Sequence, residues 1–382
     1  MRIIFFTILF VFTWTYGHAQ NTEATPAKDQ GEPPYRIFTN ASKSYHIDLP
    51  AILNAFPHAT NRSYPGGGTI ELGEGIFYTS GALYTNYSGV DTIIIKGKGA
   101  VQTCLVFTNN SGLTLRGSGN NIGLIMQGVL VASTVDSNYF LVHVQNNNRS
   151  VIEDCTFTYW PKATNGLGLE VGVNGGAQSV GGLSGVWYDG VPTPLGDAFI
   201  IRDNNFDYLA VGAYLDANHP RLENNFFEAI NCDGDIDSPS KTSTWPGTSP
   251  LALGGAVLIG PKISSFAAIG NHWFRCVYPI SDLREVAAND VIFHDSEFEL
   301  GTAILLKTNS QASLTLDGIT FSDPGVVLFE TNITGGYILS ARLYSTSDES
   351  NYRTRLKGNY LGNYKFQNLS GNGSGLTNLF SP

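Results

Sequence analysis

An aliphatic residue, in one case Phe, followed five positions later by Phe or Val recurs along the chain, mostly with polar or small residues between them. The pattern occupies residues 124–129, 152–157, 201–206, 222–227, 269–274, 293–298 and 316–321. Successive segments end roughly 20 to 28 residues apart, except for two intervals that are about twice as long. A repeat of this length predicts a solenoid, in which each repeat forms one turn about a common axis.

The segments favour strands over helices. They are rich in β-branched and aromatic residues, lack apolar spacing at three and four, and are separated by Asn, Asp and Gly. The sequence therefore predicts an all-β protein, and we expect a right-handed parallel β-helix whose strands pair from one turn to the next. Asparagines suit the tight turns between strands because Asn tolerates left-handed φ and bonds to nearby backbone. Five are assigned to such turns, where a structural role is favoured over a functional one: Asn204, Asn205, Asn224, Asn225 and Asn271.

The start of the chain has the features of a secretory signal peptide. Residues 1–19 contain one Arg, an apolar run and a small-residue site ending at Ala19, which predicts a secreted or periplasmic protein. No other run is long and apolar enough to span a bilayer, so we expect no membrane span. We divide the chain into this peptide, a flexible lead-in (20–44), a β-helix (45–335), and a C-terminal strand with a glycine-rich tail (336–382).

A short helix is predicted just inside the β-helix. Asp48 can cap it, Pro50 suits its first turn, and Leu49, Leu53 and Phe56 fall on one face. We expect this helix to plug one end of the solenoid, whose apolar interior would otherwise meet water.

Two glycine-bounded stretches follow, a Gly-Gly-Gly-Thr-Ile run at 66–70 and an Ile-Ile-Ile-Lys-Gly run at 93–97. The order of helix, first stretch and second stretch resembles the start of the pectin-lyase-like β-helix superfamily, which includes pectate-lyase-like proteins and phage tailspike depolymerases. The resemblance covers about residues 47–332 and implies the fold more specifically than an activity. That superfamily contains lyases, glycoside hydrolases, epimerases and proteins without catalysis.

The net charge limits which classes of partner are expected. The net charge is −10, with no basic stripe to displace counterions from phosphates, so a nucleic-acid partner is not expected. An acidic glycan would be repelled unless a cation or a locally basic groove compensated.

Four cysteines lie far apart, at positions 104, 155, 232 and 276. An exported chain permits disulfides, and a β-helix interior equally accommodates buried thiols, so no pairing is assigned.

The two long intervals predict a groove. The chain should leave the solenoid at 160–197 and again at 231–253, from the same side, with one uninterrupted turn of chain between the departures as a floor. Aromatic side chains in or beside these segments could stack on sugar rings, or could merely pin the loops to the barrel. The candidates for glycan binding are Trp160, Trp187, Tyr188, Tyr214 and Trp245.

Acidic residues concentrate on the same turns. Glycosidic hydrolysis needs two carboxyl groups about 5 Å apart for retention or about 6.5 to 9.5 Å apart for inversion, separations that a β-helix readily provides. The candidate catalytic residues are Asp216, His219, Arg221, Asp233 and Asp235. Residues 231–234, Asn-Cys-Asp-Gly, resemble the Asn-Thr-Asp-Gly element of polygalacturonase-type hydrolases, but that family's later elements have no counterpart here.

The alternating run Asp233, Asp235 and Asp237 could also bind Ca²⁺, which takes several carboxylate and carbonyl oxygens from a flexible loop. In a lyase such an ion would neutralise a uronate while His219, Arg221 or Arg284 served as base. For His219, in an Asn-His-Pro turn, a structural role is favoured.

Two functions fit the sequence. The first is a secreted polysaccharide-active enzyme, a hydrolase or lyase that acts in the groove. The alternative is a noncatalytic glycan-binding or fibre protein, which could assemble as a homotrimer. The tail at 369–379, which resembles a short element of fibre-like proteins, supports the alternative.

Overall fold

The computed structural model describes most of the repeat region and parts of the segments on either side. The described residues are 35–37, 44–59, 66–86, 89–117, 122–145, 150–160, 162–164, 170–172, 182–189, 199–217, 219–230, 256–260, 263, 265–276, 279–282, 288–299, 306–308, 312–322, 329–331, 335–338, 341–344 and 365–366. The predicted signal peptide lies outside them, as do Cys232 and the tail at 369–379.

The described elements are nearly all short strands. In chain order they are β1 (Tyr35–Ile37), β2 (Ser44–His46), α1 (Leu49–Asn54), β3 (Gly66–Leu72), β4 (Gly75–Thr79), β5 (Ala82–Asn86), β6 (Asp91–Lys96), β7 (Thr103–Phe107), β8 (Leu113–Gly117), β9 (Ile122–Gln127), β10 (Leu130–Ser133), β11 (Phe140–Gln145), β12 (Ser150–Glu153), β13 (Thr156–Tyr159), β14 (Lys162–Thr164), β15 (Glu170–Gly172), β16 (Ser184–Asp189), β17 (Phe199–Arg202), β18 (Asn205–Asp207), β19 (Val211–Asp216), β20 (Arg221–Glu223), β21 (Phe226–Glu228), β22 (Val257–Ile259), β23 (Phe266–Ile269), β24 (His272–Phe274), β25 (Ile280–Asp282), β26 (Ala288–His294), β27 (Glu297–Glu299), β28 (Leu306–Thr308), β29 (Ala312–Asp317), β30 (Ile319–Ser322), β31 (Phe329–Thr331), β32 (Gly335–Ile338), β33 (Ala341–Tyr344) and β34 (Lys365–Phe366).

These strands form three long parallel sheets. Sheet A has the order β1-β3-β6-β9-β12-β17-β20-β23-β26-β29-β32-β34, and sheet B the order β2-β4-β7-β10-β13-β18-β21-β24-β27-β30-β33. Sheet C has the order β31-β28-β25-β22-β19-β16-β11-β8-β5. The chain therefore passes from A to B to C and returns to A one rung further on, which confirms the predicted parallel β-helix.

The interior is filled by side chains that stack from rung to rung. In sheet B the rings of Phe157, Phe206, Phe227, Trp273 and Phe298 follow one another, with centroids 5.0, 4.8, 5.7 and 4.6 Å apart and planes within 12° of parallel. Every one of these five side chains is fully buried. Offset stacking of this kind adds to the hydrophobic stabilisation of a core.

The register corrects two of the predicted repeats. Phe227 pairs with Trp273, so Trp273 is the core residue, and Phe274 points outward opposite Glu228. The predicted segment 269–274 was therefore wrong by one position. Likewise Val131, and not Val129, pairs with Phe157, so the segment 124–129 was wrong by two.

Asparagines form a buried ladder at the corner between sheets A and B. Asn204 Nδ2 donates to Asn225 Oδ1 at 3.0 Å, and Asn225 Nδ2 donates to Asn271 Oδ1 at 2.9 Å. Each amide also donates to a backbone carbonyl one rung back, which satisfies groups that the corner would otherwise bury unpaired. The structural role predicted for these three asparagines is confirmed. Asn224 is exposed and has the left-handed φ predicted for a turn residue, at 53°, whereas Asn205 lies exposed in β18.

Both long intervals leave the solenoid at the same corner. One lies between β13 of sheet B and β16 of sheet C and contains the antiparallel hairpin β14–β15; the other lies between β21 and β22, again from B to C. The prediction that they leave from one side is confirmed. The first returns earlier than predicted, because residues 184–189 form a regular strand of sheet C within the interval placed at 160–197.

Helix α1 is present where the sequence placed it. Asp48 Oδ1 accepts from the Ala51 backbone N–H at 3.0 Å, and Leu49 and Leu53 are buried in the core. Its role as a plug for the end of the solenoid stays a prediction. Among the described residues this six-residue helix is far shorter than the roughly 20 residues that crossing a bilayer requires. Strand pairing also extends past the predicted 45–335 boundaries, through β1, β33 and β34.

Candidate functional site

The outer face of sheet C lies beside the corner from which both insertions leave. Strands β16 and β22 each follow one of the insertions, and β19 lies between them with short connections at both ends, 208–210 and 217–220. In β16 and β19 the side chains alternate: Val186, Tyr188, Ala213 and Leu215 enter the core, and their neighbours point outward. The outward positions of β19 therefore lie where the floor of the groove was predicted, while most of the two segments predicted as its walls lies outside the described residues.

One outward row is aromatic. His143, Trp187 and Tyr214 are register partners on β11, β16 and β19. The rings of His143 and Trp187 stack with centroids 4.0 Å apart and planes at 4°, while Trp187 and Tyr214 lie 5.6 Å apart at 33°. All three side chains are half-buried, so the row offers a partly exposed aromatic strip that runs along the solenoid axis.

The neighbouring outward row is polar. Arg116, Gln145, Asp189 and Asp216 are register partners on β8, β11, β16 and β19. Arg116 Nε donates to Gln145 Oε1 at 2.9 Å, which ties the guanidinium to one end of the row. Asp189 and Asp216 occupy adjacent rungs, and strands in one sheet lie about 4.8 Å apart, so the two carboxyl groups are neighbours beside the aromatic strip.

Asp216 is the more enclosed carboxyl group. Its residue is 6 % exposed, whereas Asp189 is half-buried. Gly260 packs against it on the next rung, and a Cβ at Gly260 would collide with Asp216 Oδ1. The glycine thus leaves room for the Asp216 side chain to stay where it is.

Burial sets the protonation of the aromatic row. It lowers the pKa of His143 to about 4; Arg116 lowers it further and Asp189 opposes the shift. The imidazole is therefore neutral at neutral pH, and within the described part of the chain its Nε2 is buried without a hydrogen-bond partner. Burial, together with the charges of Asp216 and Asp189, raises the pKa of Tyr214, which keeps its phenol protonated.

Three of the predicted site residues come together on this face, namely Trp187, Tyr214 and Asp216. Two other predicted aromatics lie elsewhere. Tyr188 is fully buried and stacks on Phe199 at 4.0 Å, so a glycan cannot reach it. Trp160 is 8 % exposed and packs in a small cluster with Leu130 and other residues, which corrects its assignment to a sugar-binding surface.

His219 and Arg221 are not part of this face. His219 is exposed at a left-handed φ of 52°, in the corner that leads from sheet C to sheet A. Arg221 belongs to β20 of sheet A and forms an ion pair with Glu223 at 2.7 Å. The structure therefore separates both from Asp216, although only a few residues lie between them in sequence.

The remaining candidates lie outside the described residues, namely Asp233, Asp235, Asp237, Trp245 and Arg284. The predicted Ca²⁺ site is thus a prediction about residues that the structure does not describe. Across the part of the chain that is described, no group of three or more His, Cys, Asp or Glu side chains could hold a metal ion.

The sequence reasoning missed Asp189, His143, Arg116 and Gln145. Each of them lies one rung or more from Asp216 or Tyr214, and only the pairing register of sheet C shows that they are neighbours. Asp189 carried the clearest local signal, because it lies two positions after Trp187 and therefore on the same face of a strand.

Comparison with protein-family models finds no match to this chain, and a search of curated proteins finds none either.

Proposed function

We propose that this protein is an exported polysaccharide-active enzyme of the pectin-lyase-like β-helix type, and that it holds a glycan along the outer face of sheet C. The observation that carries the proposal is the pair Asp189 and Asp216 on adjacent rungs, directly beside the aromatic row of Trp187 and Tyr214. Aromatic faces pack on the apolar faces of sugar rings, while carboxyl groups supply acid and base.

The reaction is assigned as hydrolysis of a glycosidic bond. Two carboxyl groups on neighbouring strands lie near the separation of about 5 to 5.5 Å that retaining glycosidases use. Asp216, which has less contact with water, is assigned as the proton donor to the leaving oxygen. Asp189 is assigned as the nucleophile, and it would carry the sugar until water releases it.

A lyase is less well supported by the groups on this face. Removal of a proton next to a uronate requires an accessible base, preferably one whose pKa lies near the working pH. Tyr214 has a raised pKa, and the buried Nε2 of His143 cannot reach a substrate. Arg116 is engaged by Gln145, at the far end of the polar row from Asp216.

A test compares wild type with Asp189→Asn and Asp216→Asn on a broad panel of polysaccharides. Reducing ends report hydrolysis, and the ultraviolet absorbance of an unsaturated product reports a lyase. We expect each substitution to lower turnover by about 100-fold or more, the range of a lost general acid or base. Asp295→Asn, at an exposed corner on another side of the solenoid, serves as the matched control and should retain activity.

Noncatalytic glycan binding is the second candidate. It is favoured by the enclosure of Asp216, whose residue is only 6 % exposed. If wild type binds glycans from the panel without cleaving any of them, and Trp187→Ala abolishes that binding, the binding function replaces the enzymatic one. If Asp189→Asn and Asp216→Asn both cleave as fast as wild type, the assignment of this pair is wrong.

A further inference from the structure

The outer face of sheet B carries a second group of aromatic side chains. Phe226, His272 and Phe274 occupy outward positions of β21 and β24. The ring of Phe226 meets the His272 ring edge-on, with centroids 4.9 Å apart, and lies 6.3 Å from the ring of Phe274. All three are half-buried and retain contact with water. Clustered apolar surface on the outside of a protein commonly marks a binding site.

Polar groups surround this aromatic group. Arg275 places its guanidinium carbon 5.0 Å from the centre of the Phe274 ring. Glu228 is the register partner of Phe274, and Asp207 is the register partner of Glu228 one rung back. Burial, with the charge of Glu228, raises the pKa of Asp207 to about 7. The two carboxyl groups can therefore form hydrogen bonds with a ligand beside the aromatic rings, and they add negative charge there.

A cleft opens at the start of β13 and β18, which precede β21 in the same sheet. Its volume is about 420 Å³, and it is lined on the strand side by Thr156 and Asn205, which precede Phe226 in the same outward row. The cleft is also lined by residues 98–102, which connect sheets A and B. This connection is anchored where Gly99 N–H donates to the Gly128 carbonyl at 2.9 Å, and it carries Val101, which is 97 % exposed.

The cleft and the aromatic group therefore form one continuous strip along sheet B. The hydroxyl of Thr156 and the amide of Asn205 lead along one outward row to the rings of Phe226 and His272, and the carboxyl groups of Asp207 and Glu228 lie in the neighbouring row. Polar groups beside ring faces suit a sugar chain, whose residues have polar edges and apolar faces. The carboxyl groups of Asp154, Asp203 and Glu228 outnumber the cationic groups of Lys98 and Arg275 along this strip, so the strip should repel uronates and sulfates.

We propose that the outer face of sheet B is a second glycan-binding site, distinct from the face of sheet C, and that it takes a glycan without acidic groups. It shares with the proposed function only the premise that the ligand is a polysaccharide. Cleavage on sheet C is not required for it.

The test measures binding by calorimetry with the full chain carrying Asp189→Asn and Asp216→Asn, so that no ligand is consumed. The probes are neutral and amino-sugar oligosaccharides, with oligogalacturonate as the acidic comparison. In this background the double substitution Phe226→Ala with Phe274→Ala should weaken binding of a non-acidic probe at one site about tenfold or more. The separate substitution Trp187→Ala should leave that site unchanged, and oligogalacturonate should not bind there.

A milder variant covers the case in which the double substitution impairs folding. Asn205 is exposed and lines the cleft, so Asn205→Ala should weaken the same site while the melting transition is kept.

The results separate the two proposals. Loss of binding through Phe226 and Phe274 but not through Trp187 supports the sheet B site even if sheet C has no activity. Undiminished binding in both the double variant and Asn205→Ala overturns the sheet B site and leaves the proposed function standing. A change from oligomer to monomer in light scattering, without any change in glycan binding, would assign this face to a protein partner and also overturn the site.

Discussion

Asp207 lies directly opposite Glu228 on the neighbouring strand of sheet B, and its pKa is raised to about 7, first by burial and then by the charge of Glu228. Two carboxyl groups one rung apart ionise together only at a cost, because each disfavours the charge of the other. Asp207 therefore retains its proton at pH values where an exposed aspartate has lost it.

Asp207→Asn should make the fold more stable at neutral pH. The folded pKa of Asp207 lies above its unfolded value, near 3.9, so its contribution is fully present below pH 4 and is lost as the pH rises to about 7. Replacing the carboxyl with a neutral amide removes that loss. The free energy of unfolding of the variant should exceed that of the wild type by up to about 4 kcal/mol at pH 8 and by almost nothing at pH 4. Urea unfolding of both proteins at the two pH values measures the difference.

Asp203→Asn is the matched control, because Asp203 is exposed at a corner of the solenoid. Its effect on the free energy of unfolding should be small and should vary little between pH 4 and pH 8. If Asp207→Asn gave the same small effect at both pH values, the raised pKa would be wrong.

The asparagine ladder predicts a strong contrast between adjacent residues. Asn225→Asp removes the two hydrogen bonds that its amide donates, to the Ile201 carbonyl and to Asn271 Oδ1, and places a carboxyl in a buried corner. We expect a loss of about 3 kcal/mol or more in the free energy of unfolding. Chemical denaturation at pH 7 provides the measurement.

Asn224→Asp makes the same chemical change one residue earlier, at an exposed position with left-handed φ that Asp also tolerates. It should cost less than about 1 kcal/mol. Equal losses for the two variants would mean that the ladder does not stabilise the corner.

The sequence was sufficient for the architecture because the strand pattern and the corner residues agree with each other. Phe157, Phe206 and Phe227 each lie the same few residues after a corner, so each of them marks one turn of the solenoid. The predicted repeat 269–274 was misplaced at Trp273 and Phe274, where two aromatic residues are adjacent and either could have entered the core. Only pairing with Phe227 decides between them.

The site was harder to predict, because its residues are neighbours through the register of sheet C. Asp189 and Asp216 are 27 positions apart, and His143 and Trp187 are 44 apart, each pair separated by one rung. The long intervals also misled the prediction. Residues 184–189 looked like part of a loop, since they lie inside the long interval between the repeats that end at Phe157 and Phe206. Tyr188 was therefore assigned to a surface, although strand alternation buries it.

Gly260→Ala should reduce activity through Asp216. The added Cβ would collide with Asp216 Oδ1, so that carboxyl must move from its place beside Asp189. Because small misplacements of a catalytic group are costly, we expect turnover to fall by about 100-fold. Steady-state kinetics on whichever glycan the wild type cleaves gives the value.

Gly112→Ala controls for strain alone. A Cβ there would collide with the carbonyls of Phe140 and Leu141, also beside sheet C but several rungs away from Asp216. It should lower the free energy of unfolding without a comparable fall in turnover of the folded enzyme. A normal turnover in folded Gly260→Ala would show that the position of Asp216 does not matter for the reaction.

His143→Phe should remove a dependence of stability on pH that has the opposite sign to that of Asp207. The folded pKa of His143, about 4, lies below the ordinary value near 6.5, so its contribution is fully present above pH 6.5 and is lost as the pH falls towards 4. The loss amounts to at most roughly 3 kcal/mol. Phe retains a ring against Trp187, so stacking is largely kept while the titrating group disappears.

The difference in the free energy of unfolding between wild type and variant, measured at pH 7 and pH 4.5, cancels the contribution of Asp207, which both proteins share. The wild type should lose more stability than His143→Phe between these two values, and an equal loss would show that His143 titrates normally in the folded protein.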